Sequence, residues 1–403
     1  MSTILVIFFW LCAGLILYTY AVYPLLVMVL SEFLGKDRTA REVDSTNWPN
    51  VSLLIAAYNE QAVIERRIAN ALAMDYPKEK LEIAIASDGS NDETANIVKR
   101  YAGQGVRLIE FAERRGKSAV LNRAIPQLRG EIVVLSDANS EFEPSALKKL
   151  VRWFDDPAVG IVSGRLVLTD ARNSRNADSL YWNYETFLKK SESRLGGLLG
   201  ANGAIYAIRR SCFTPIPDDT VVDDFLIPLL MRLHHGFLVH YDFQAIAYEQ
   251  APNQVRDEFR RRMRIGTGNL QNLSLLWPLL DPRQGFVAIS FFSHKVLRWL
   301  CPFLLIGILI GSACLFNHPF FRVVTILQGA FYCMAMIVAI LPRSAGVPKL
   351  FRLPTMFVSM NLALLVGYSR WLLQNHHGTW EPTARRTEQS EPAHSTVIAE
   401  GKP

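Results

Sequence analysis

Residues 131–140, EIVVLSDANS, decide the fold class of this chain. Residues 132–136 are apolar or small, and they predict a short strand buried on both faces, as in a parallel sheet. The strand ends near Asp137 and Asn139, which place a carboxylate and an amide at its carboxyl edge. Ligands bind at that edge in open α/β sheets. We therefore expect either a metal–diphosphate site at Asp137 or a plain polar turn that opens the next helix at Pro144.

The sequence before this stretch alternates between strand-like and helix-like segments. The expected strands are 51–57, 81–87, 106–110 and 131–136, and the expected helices are 60–74, 92–101 and 117–128. Strands separated by helices of this length predict βαβ units and a mainly parallel sheet of the α/β class.

A second carboxylate, Asp88, follows the second expected strand. Ser90 and Glu93 fit a capping box for the helix that follows, which leaves Asp88 without a structural role. Two carboxylates at strand ends favour a ligand site over a plain turn. The loop 113–118, ERRGKS, opens a helix with Lys117, so it suits an anionic ligand; the alternative is a solvated surface loop.

Apolar segments flank this α/β region. Residues 4–30 carry no charge and are long enough to cross a bilayer, and further apolar segments are expected near 296–316, 323–341 and 353–373. The formal net charge of +6 gives no sign of nucleic-acid binding, and the five cysteines have no metal-ligand spacing. Basic residues after the first apolar segment place the α/β region in the cytoplasm by the positive-inside bias, as part of a multi-pass cell (inner or plasma) membrane protein.

These features divide the chain into six parts. We expect a transmembrane helix (1–31), a connector (32–48), an α/β domain (49–276), an interfacial helix (277–295), a C-terminal membrane region of two to three segments (296–373) and a cytoplasmic or disordered tail (374–403).

The ordered motifs of the α/β region resemble glycosyltransferase family 2. The motifs are VSLLIAAYNE (51–60), SDGSND (87–92), RRGKSAVLNRA (114–124), SDAN (136–139), GANGAIYAIRR (200–210), VVDDF (221–225) and RRRMRIGTGNLQ (260–271). The resemblance implies a GT-A fold, a nucleotide-sugar donor and Mg²⁺ or Mn²⁺. It is strongest to the membrane-embedded members that make hyaluronan, chitin, cellulose or poly-N-acetylglucosamine.

The resemblance also implies a role for each matching residue. The implied donor-binding residues are Ala57, Tyr58, Asn59 and Glu60 at the nucleotide, Asp88 at the uridine, Lys117 at the nucleotide or diphosphate, and Arg261 and Arg264 at the diphosphate. The implied metal ligands are Asp137 and, in the place of a second aspartate, Asn139. Asp224 is the implied general base beside Asp223, and the alternative for Asp223 is a helix cap.

Two departures from the family pattern bear on function. Asn139 is a neutral residue where a metal-binding carboxylate is usual, so we expect weaker metal affinity. Arg261 and Ile265 replace the glutamine and the tryptophan of the Gln-x-x-Arg-Trp motif, whose tryptophan belongs to the acceptor site of processive polymerases. These changes leave sugar transfer intact but question polymer synthesis.

Three functions stay open at this point. The first is an inverting transferase that adds sugars from a UDP-sugar to a growing polysaccharide, with a partner subunit for export. The second is transfer of one sugar to a lipid acceptor among the membrane lipids. The third is a non-catalytic scaffold that binds a nucleotide sugar. The arginine run 256–264 has its own alternative, a basic amphipathic helix lying on anionic lipid.

Overall fold

The structure is a computed structural model of the whole chain. It describes residues 2–38, 40, 47–169, 179–250, 255–341 and 347–373. The tail 374–403 and part of the connector 32–48 lie outside these residues.

The centre of the molecule is a mixed sheet that has eight strands in the described part of the chain. The strands are β1 (Val51–Ala57), β2 (Leu81–Asp88), β3 (Val106–Phe111), β4 (Ile132–Asp137), β5 (Glu141–Phe142), β6 (Val159–Thr169), β7 (Tyr206–Arg209) and β8 (Leu238–Gln250), in the order β3-β2-β1-β4-β7-β6-β8-β5. Strands β1–β4 pair in parallel, as does β6 with β8, whereas β7 pairs antiparallel to both of its neighbours. The expected mainly parallel α/β sheet is confirmed.

Alternation along the strands explains why β1 is apolar at every position except Ser52. Every residue of β1 is buried. Leu54 and Ala56 pack into the hydrophobic cluster on one face of the sheet, while Leu53 and Ile55 pack into the cluster on the other. Because successive side chains point to opposite faces, a strand covered on both faces is apolar on both. The polar exception, Ser52, is buried but donates a hydrogen bond to Glu82 Oε2 at 2.5 Å.

Helices cover the sheet and continue into the apolar segments. They are α1 (Ser2–Leu17), α2 (Tyr23–Leu34), α3 (Ile64–Leu72), α4 (Thr94–Arg100), α5 (Lys117–Ala124), α6 (Ala146–Val151), α7 (Ser179–Arg194), α8 (Asp223–His235), α9 (Val255–Leu276), α10 (Phe286–Ser290), α11 (Leu297–Cys314), α12 (Pro319–Ile340) and α13 (Lys349–Leu372). The helices α3, α4 and α5 are shorter than the sequence predicts, because turns and 3₁₀ segments occupy their ends.

Four helical segments among the described residues are long and apolar enough to cross a membrane: Thr3–Leu34, Phe286–Cys314, Pro319–Ile340 and Phe351–Leu372. The second of them begins ten residues before the expected start at residue 296, since α10 runs through a π-helical turn into α11. The expected interfacial helix is therefore divided between two 3₁₀ turns and the start of this span.

Helix α9 lies directly against the last apolar helix, α13. A Cβ atom at Gly367 would lie 2.6 Å from the carbonyl oxygen of Met263, so only glycine permits this close approach. The Thr267 hydroxyl donates a hydrogen bond to the Gly367 carbonyl at 3.1 Å. The helix that carries Arg261 and Arg264 is thereby fixed to the membrane region.

Candidate functional site

The carboxyl ends of β1, β2 and β4 meet at one edge of the sheet. The register pairs Ala57 with Ser87, the residue before Asp88, and Ala56 with Asp137. Parallel strands in register bring their last residues side by side. The side chains that follow these strands consequently share one edge, as the motifs predict.

Lys117 is the centre of this edge. Its Nζ lies 2.8 Å from Asp137 Oδ1 and 3.3 Å from Asp223 Oδ2, so one ammonium holds two carboxylates. Lys117 begins α5, Asp137 ends β4 and Asp223 begins α8. Three separate elements therefore converge on a single cation.

The electrostatics of Lys117 reflect both neighbours. Burial disfavours the charged ammonium, but Asp137 and Asp223 outweigh it and raise the pKa of Lys117 above its ordinary value. Lys117 is therefore fully charged at neutral pH. The carboxylates of Asp137 and Asp223 and the ammonium of Lys117 together carry a net negative charge, which attracts a further cation.

Asp224 stands beside this centre in a partly buried position. Its Oδ2 accepts a hydrogen bond from the backbone N–H of Gly203 at 2.9 Å. Burial first, and then the adjacent Asp223, raise the pKa of Asp224 to about 6. A carboxylate with this pKa is ionised at neutral pH, and it holds a proton more readily than an ordinary aspartate does.

Asp88 has a structural role that the sequence argument did not foresee. Its two carboxylate oxygens accept hydrogen bonds from the backbone N–H groups of Arg115 and Gly116, each at 2.8 Å. Asp88 is 3% exposed. It thus fixes the loop that leads into Lys117, and its contact with a nucleotide stays a prediction.

The end of β1 forms a second part of the site. Asn59 has a positive φ of 52°, and its Oδ1 accepts a hydrogen bond from the backbone N–H of Asn91. The Arg114 guanidinium lies 4.0 Å from the centroid of the Tyr58 ring. Glu60 is buried, and its backbone N–H donates to Thr94 Oγ1 at 2.8 Å. Tyr58 and Glu60 therefore stand at the same edge as Asp88.

The expected capping box at Ser90 and Glu93 is wrong. Ser90 Oγ accepts from the Asn59 backbone N–H, whereas Asp92 Oδ1 accepts from the N–H of Thr94 at the start of α4. The helix begins later than expected, so the capping side chain is the one two residues before its first residue.

Asn139 turns away from Lys117. Its Nδ2 donates a hydrogen bond to Glu249 Oε1 on β8. Within the described ranges, no group of three or more His, Cys, Asp or Glu side chains is arranged to hold a metal ion. A metal at this edge would therefore draw on Asp137 and on ligands that the substrate brings.

Helix α9 supports the segment before Asp223. Gln271 Oε1 accepts from the backbone N–H of Val221 at 3.2 Å, and Asn272 Nδ2 donates to the Val222 carbonyl at 3.3 Å. Burial lowers the pKa of Arg264, the charges of Asp223, Asp137 and Asp224 oppose that shift, and the like charge of Arg261 adds to it. The structure thus brings Arg264 to the acidic centre.

The family comparison agrees with this geometry. The model described as "Glycosyl transferase family 2" matches residues 52–214, which include β1, the Lys117 loop and β4. The chain contains a glycosyltransferase family 2 domain. Asp223, Asp224 and α9 lie beyond the matched residues.

Relatives and a solved structure extend the likeness of this glycosyltransferase domain. A β-monoglucosyldiacylglycerol synthase of Trichormus variabilis is 27% identical over 245 residues, which cover 58% of this chain and 51% of that protein. A poly-β-1,6-N-acetyl-D-glucosamine synthase of Staphylococcus epidermidis is 23% identical over 258 residues, which cover 60% of each chain. The chain thus spans only part of the length of these curated relatives.

The fold has a close counterpart among solved structures. A mannosyltransferase of Pyrobaculum calidifontis, solved in complex with GDP-Man and Mn²⁺, superposes with a TM-score of 0.70 and 21% identity, covering 92% of this chain and 100% of that one. The GT-A fold that the motifs imply is confirmed.

Two residues of the glycosyltransferase domain escaped the sequence argument. Arg67 is fully buried beneath β4, where its Nη2 donates to Ser136 Oγ at 3.1 Å, and burial lowers its pKa to about 9. Tyr206 is fully buried, and its hydroxyl has no hydrogen-bond partner in the described structure. Burial and the nearby aspartates raise the pKa of Tyr206. In the sequence, Arg67 could have been recognised as a charged residue on the apolar face of the helix that Ile64 and Ile68 define.

Gly268 is expected to be essential for the segment that presents the two aspartates. A Cβ atom there would lie 2.6 Å from Val222 Cγ2 and 3.0 Å from Val221 Cβ. Gly268→Val should lower the free energy of unfolding by about 1–3 kcal/mol, because overpacking forces the neighbours to shift. Thermal unfolding in detergent measures this loss. The control is Gly329→Val, since no atom lies within 4 Å of a Cβ at Gly329; equal unfolding midpoints for the two variants would contradict the prediction.

Proposed function

We propose that this chain is a membrane-bound inverting glycosyltransferase that moves a sugar from a nucleotide-sugar donor, a UDP-sugar, to an acceptor hydroxyl. The observation that carries the proposal is the position of Asp224. Its pKa is raised to about 6, and its neighbour Asp223 joins Asp137 on Lys117 at the ligand-binding edge of the sheet. A base thus stands beside a charged centre suited to a diphosphate.

Asp224 acts as the general base in this proposal. It removes the proton of the acceptor hydroxyl while that oxygen attacks the anomeric carbon of the sugar and the bond to the diphosphate breaks. The Gly203 N–H holds the carboxylate in place at 2.9 Å. Direct displacement of this kind inverts the anomeric centre and requires the base and the leaving group on opposite sides of the sugar.

The departing diphosphate needs positive charge. Lys117 and Arg264 supply it, with Arg261 on the same helix α9. Asp88 contributes indirectly, because its bonds to the Arg115 and Gly116 backbone fix the loop before Lys117. The uridine and ribose lie against Ala57, Tyr58 and Glu60 in this arrangement.

A divalent cation, Mg²⁺ or Mn²⁺, fits the donor set at Asp137. Asp137 bonds to Lys117 through Oδ1, and the Asp223 Oδ2 atom lies 3.3 Å from the same ammonium. Hard oxygen ligands of this kind suit either ion, and phosphate oxygens and water complete such sites. When bound, the ion neutralises charge on the departing diphosphate. Asn139 is the other candidate ligand; its amide nitrogen bonds to Glu249, and its carbonyl oxygen has no hydrogen bond within the described residues.

The acceptor is proposed to be a lipid in the membrane. Asp224 is followed by Phe225, whose ring centroid lies 6.3 Å from that of Phe291 and 5.9 Å from that of Trp299, both in the N-terminal half of the span Phe286–Cys314. The base therefore stands next to the foot of a membrane helix, within reach of a lipid headgroup. The glycosyltransferase domain would face the cytoplasm. Extension of a polysaccharide, with a partner subunit for export, is the second candidate, and it has a synthase relative in its favour.

A product assay tests the proposal. The full chain in nanodiscs receives Mg²⁺ or Mn²⁺ and a panel of labelled UDP- and GDP-sugars, and the products are separated by size and by extraction into organic solvent. A single sugar on an extractable lipid is the expected result. A polymeric product would instead support polysaccharide synthesis. Donor binding without sugar transfer would support the non-catalytic scaffold.

A further inference from the structure

A group of charged side chains lies where α7 meets the first two apolar spans. We call it the α7 ionic cluster, and its members are Glu185, Lys189, Glu192, His294, Lys295 and Arg298. None of them belongs to the acidic centre around Lys117. His294, Lys295 and Arg298 lie within the apolar span Phe286–Cys314, and charged side chains inside membrane segments are rare unless they are paired or serve a function.

Both glutamates of the α7 ionic cluster are paired. Glu192 Oε1 accepts a hydrogen bond from the Tyr23 hydroxyl at 2.7 Å and lies 2.7 Å from His294 Nδ1. Glu185 Oε1 accepts from Arg298 Nη1 at 2.5 Å. These bonds join α7 to the first span and to the span Phe286–Cys314, so they fix the position of the whole group.

The two lysines have unused donors. Lys189 Nζ makes one hydrogen bond, to Asn202 Oδ1 at 2.8 Å. Lys295 Nζ lies 5.6 Å from the centroid of the Phe225 ring, and within the described residues it has no hydrogen bond or ion pair. An ammonium carries three N–H donors, and a partly buried one is stabilised when acceptors fill them. The pair therefore offers several donors to an anion.

The position of the lysines connects the membrane to the base. Lys295 Nζ lies 5.6 Å from the ring centroid of Phe225, the residue after Asp224. Burial lowers the pKa of Lys189, and the charges of Glu185 and Asp224 oppose that shift. Lys295 also belongs to the span Phe286–Cys314, where the neighbouring Ser293 bonds to Tyr18 at 2.8 Å. An anion held by Lys295 would lie near Phe225, the residue that follows the proposed catalytic group in the chain.

We propose that Lys189 and Lys295 bind the phosphate of an anionic phospholipid whose headgroup also carries a hydroxyl, and that this lipid is the acceptor. The inference rests on the proposed function and names its acceptor class. The headgroup hydroxyl loses its proton to Asp224 and forms the new bond to the anomeric carbon. The bond from that carbon to the diphosphate breaks, and the nucleoside diphosphate leaves with its electron pair.

Lipid binding tests the site without any turnover. The full chain in phosphatidylcholine nanodiscs is titrated with dioleoylphosphatidylglycerol, dioleoylphosphatidate or dioleoylglycerol, and bound lipid is counted by native mass spectrometry. The first two lipids carry phosphate and are expected to bind at least about tenfold more tightly than dioleoylglycerol, since a charge-assisted hydrogen bond of 1.5–3 kcal/mol corresponds to about 10- to 100-fold. Equal binding of all three lipids would overturn the proposal.

Variants assign the binding to the two lysines. Lys189→Gln and Lys295→Gln should each weaken phosphatidylglycerol binding about tenfold, and Lys295→Arg should retain it, because arginine keeps the charge. The matched control is Arg283→Gln, which removes an exposed cation shortly before the same span. Loss of binding in Lys295→Arg as well as Lys295→Gln, or equal loss in the control, would contradict a charge-reading site.

Two further measurements distinguish a lipid from a free phosphate, and the lysine site from the proposed function. Glycerol phosphate has the same headgroup without acyl chains, and it should compete only weakly; equal potency would overturn the lipid part of the proposal. Wild-type chain that binds phosphatidylglycerol through the lysines but transfers no sugar would refute the proposed function and leave the site. Sugar transfer to dioleoylglycerol that is unaffected by the glutamine variants would keep the function and overturn this inference.

Discussion

Asp224→Asn is expected to lower the rate of sugar transfer about 100- to 10,000-fold, the range that a general base contributes, while donor affinity stays unchanged. Asparagine keeps an oxygen that accepts from the Gly203 N–H, so the local geometry is retained. It cannot take the acceptor proton. The measurement is kcat with labelled donor, together with donor affinity from nucleotide titration.

Stability makes the Asp224→Asn experiment easy to interpret. The folded-state pKa of Asp224, about 6, is above the ordinary aspartate value of 3.8, so its charged form is disfavoured by folding at neutral pH. A neutral asparagine removes that cost, and the variant should be at least as stable as the wild type. The control is Asp219→Asn, an exposed aspartate in the same segment. Transfer at the wild-type rate by Asp224→Asn would exclude Asp224 as the base.

The pH dependence of transfer is a separate expected result. A base with a raised pKa of about 6 is protonated below that pH, so kcat should fall as the pH drops through about 6. Above about pH 6 the base is ionised, and its titration should no longer change kcat. A profile of kcat between pH 5 and pH 8 with saturating donor measures this. Since the pKa is shared with the neighbouring Asp223, the profile reports the pair. A kcat that stays level down to pH 5 would show that Asp224 is an ordinary, solvated carboxylate.

The strands of the sheet were predictable because burial on both faces leaves a direct record in the sequence. β1 was expected at 51–57 and is found there, and β4 begins and ends within one residue of the expected 131–136. The gathering of Asp88 and Asp137 at one edge also follows from parallel pairing alone. Periodicity and strand polarity are local properties, so a single sequence carries them.

The partners of the charged residues were not predictable in the same way. Lys117 meets Asp223, which lies more than a hundred residues later in the chain, and Asn139 meets Glu249 on β8. These pairings depend on how α8 and β8 cross the sheet, which no local pattern encodes. For the same reason Asp88, which looked free of structural duty, proved to hold the backbone of residues 115 and 116.

The α7 ionic cluster shows a further limit of the sequence. Residues 179–194 carry none of the motifs quoted above, and the stretch 277–295 was predicted to be an interfacial helix. Only the packing of α7 against both spans turns scattered charges such as Glu192 and His294 into bonded pairs. A charge in a sequence predicts exposure by default, and its burial beside a partner is decided by tertiary structure.

Lys117→Met is expected to destabilise the folded chain by about 1–3 kcal/mol in metal-free buffer, the cost of leaving partly buried charged groups without their bonded partner. The reason is that Asp137 and Asp223 share this one ammonium, at 2.8 and 3.3 Å, and would lose the positive charge that bonds to them directly. The control is Lys148→Met, since Lys148 pairs with Asp75 at the surface at 2.6 Å and such pairs contribute about 0–1 kcal/mol.

A divalent cation should reverse much of the loss in Lys117→Met. The variant leaves two carboxylates with an unmet need for positive charge, and an ion that binds only the folded state stabilises that state by mass action. Thermal unfolding with and without Mn²⁺ measures both effects: the variant's midpoint should rise more with the metal than the midpoints of the wild type and Lys148→Met. A variant as stable as Lys148→Met would show that the two carboxylates do not depend on Lys117. A variant that is destabilised but indifferent to Mn²⁺ would show that Asp137 and Asp223 cannot accept a metal, and it would remove the cation from the proposed site.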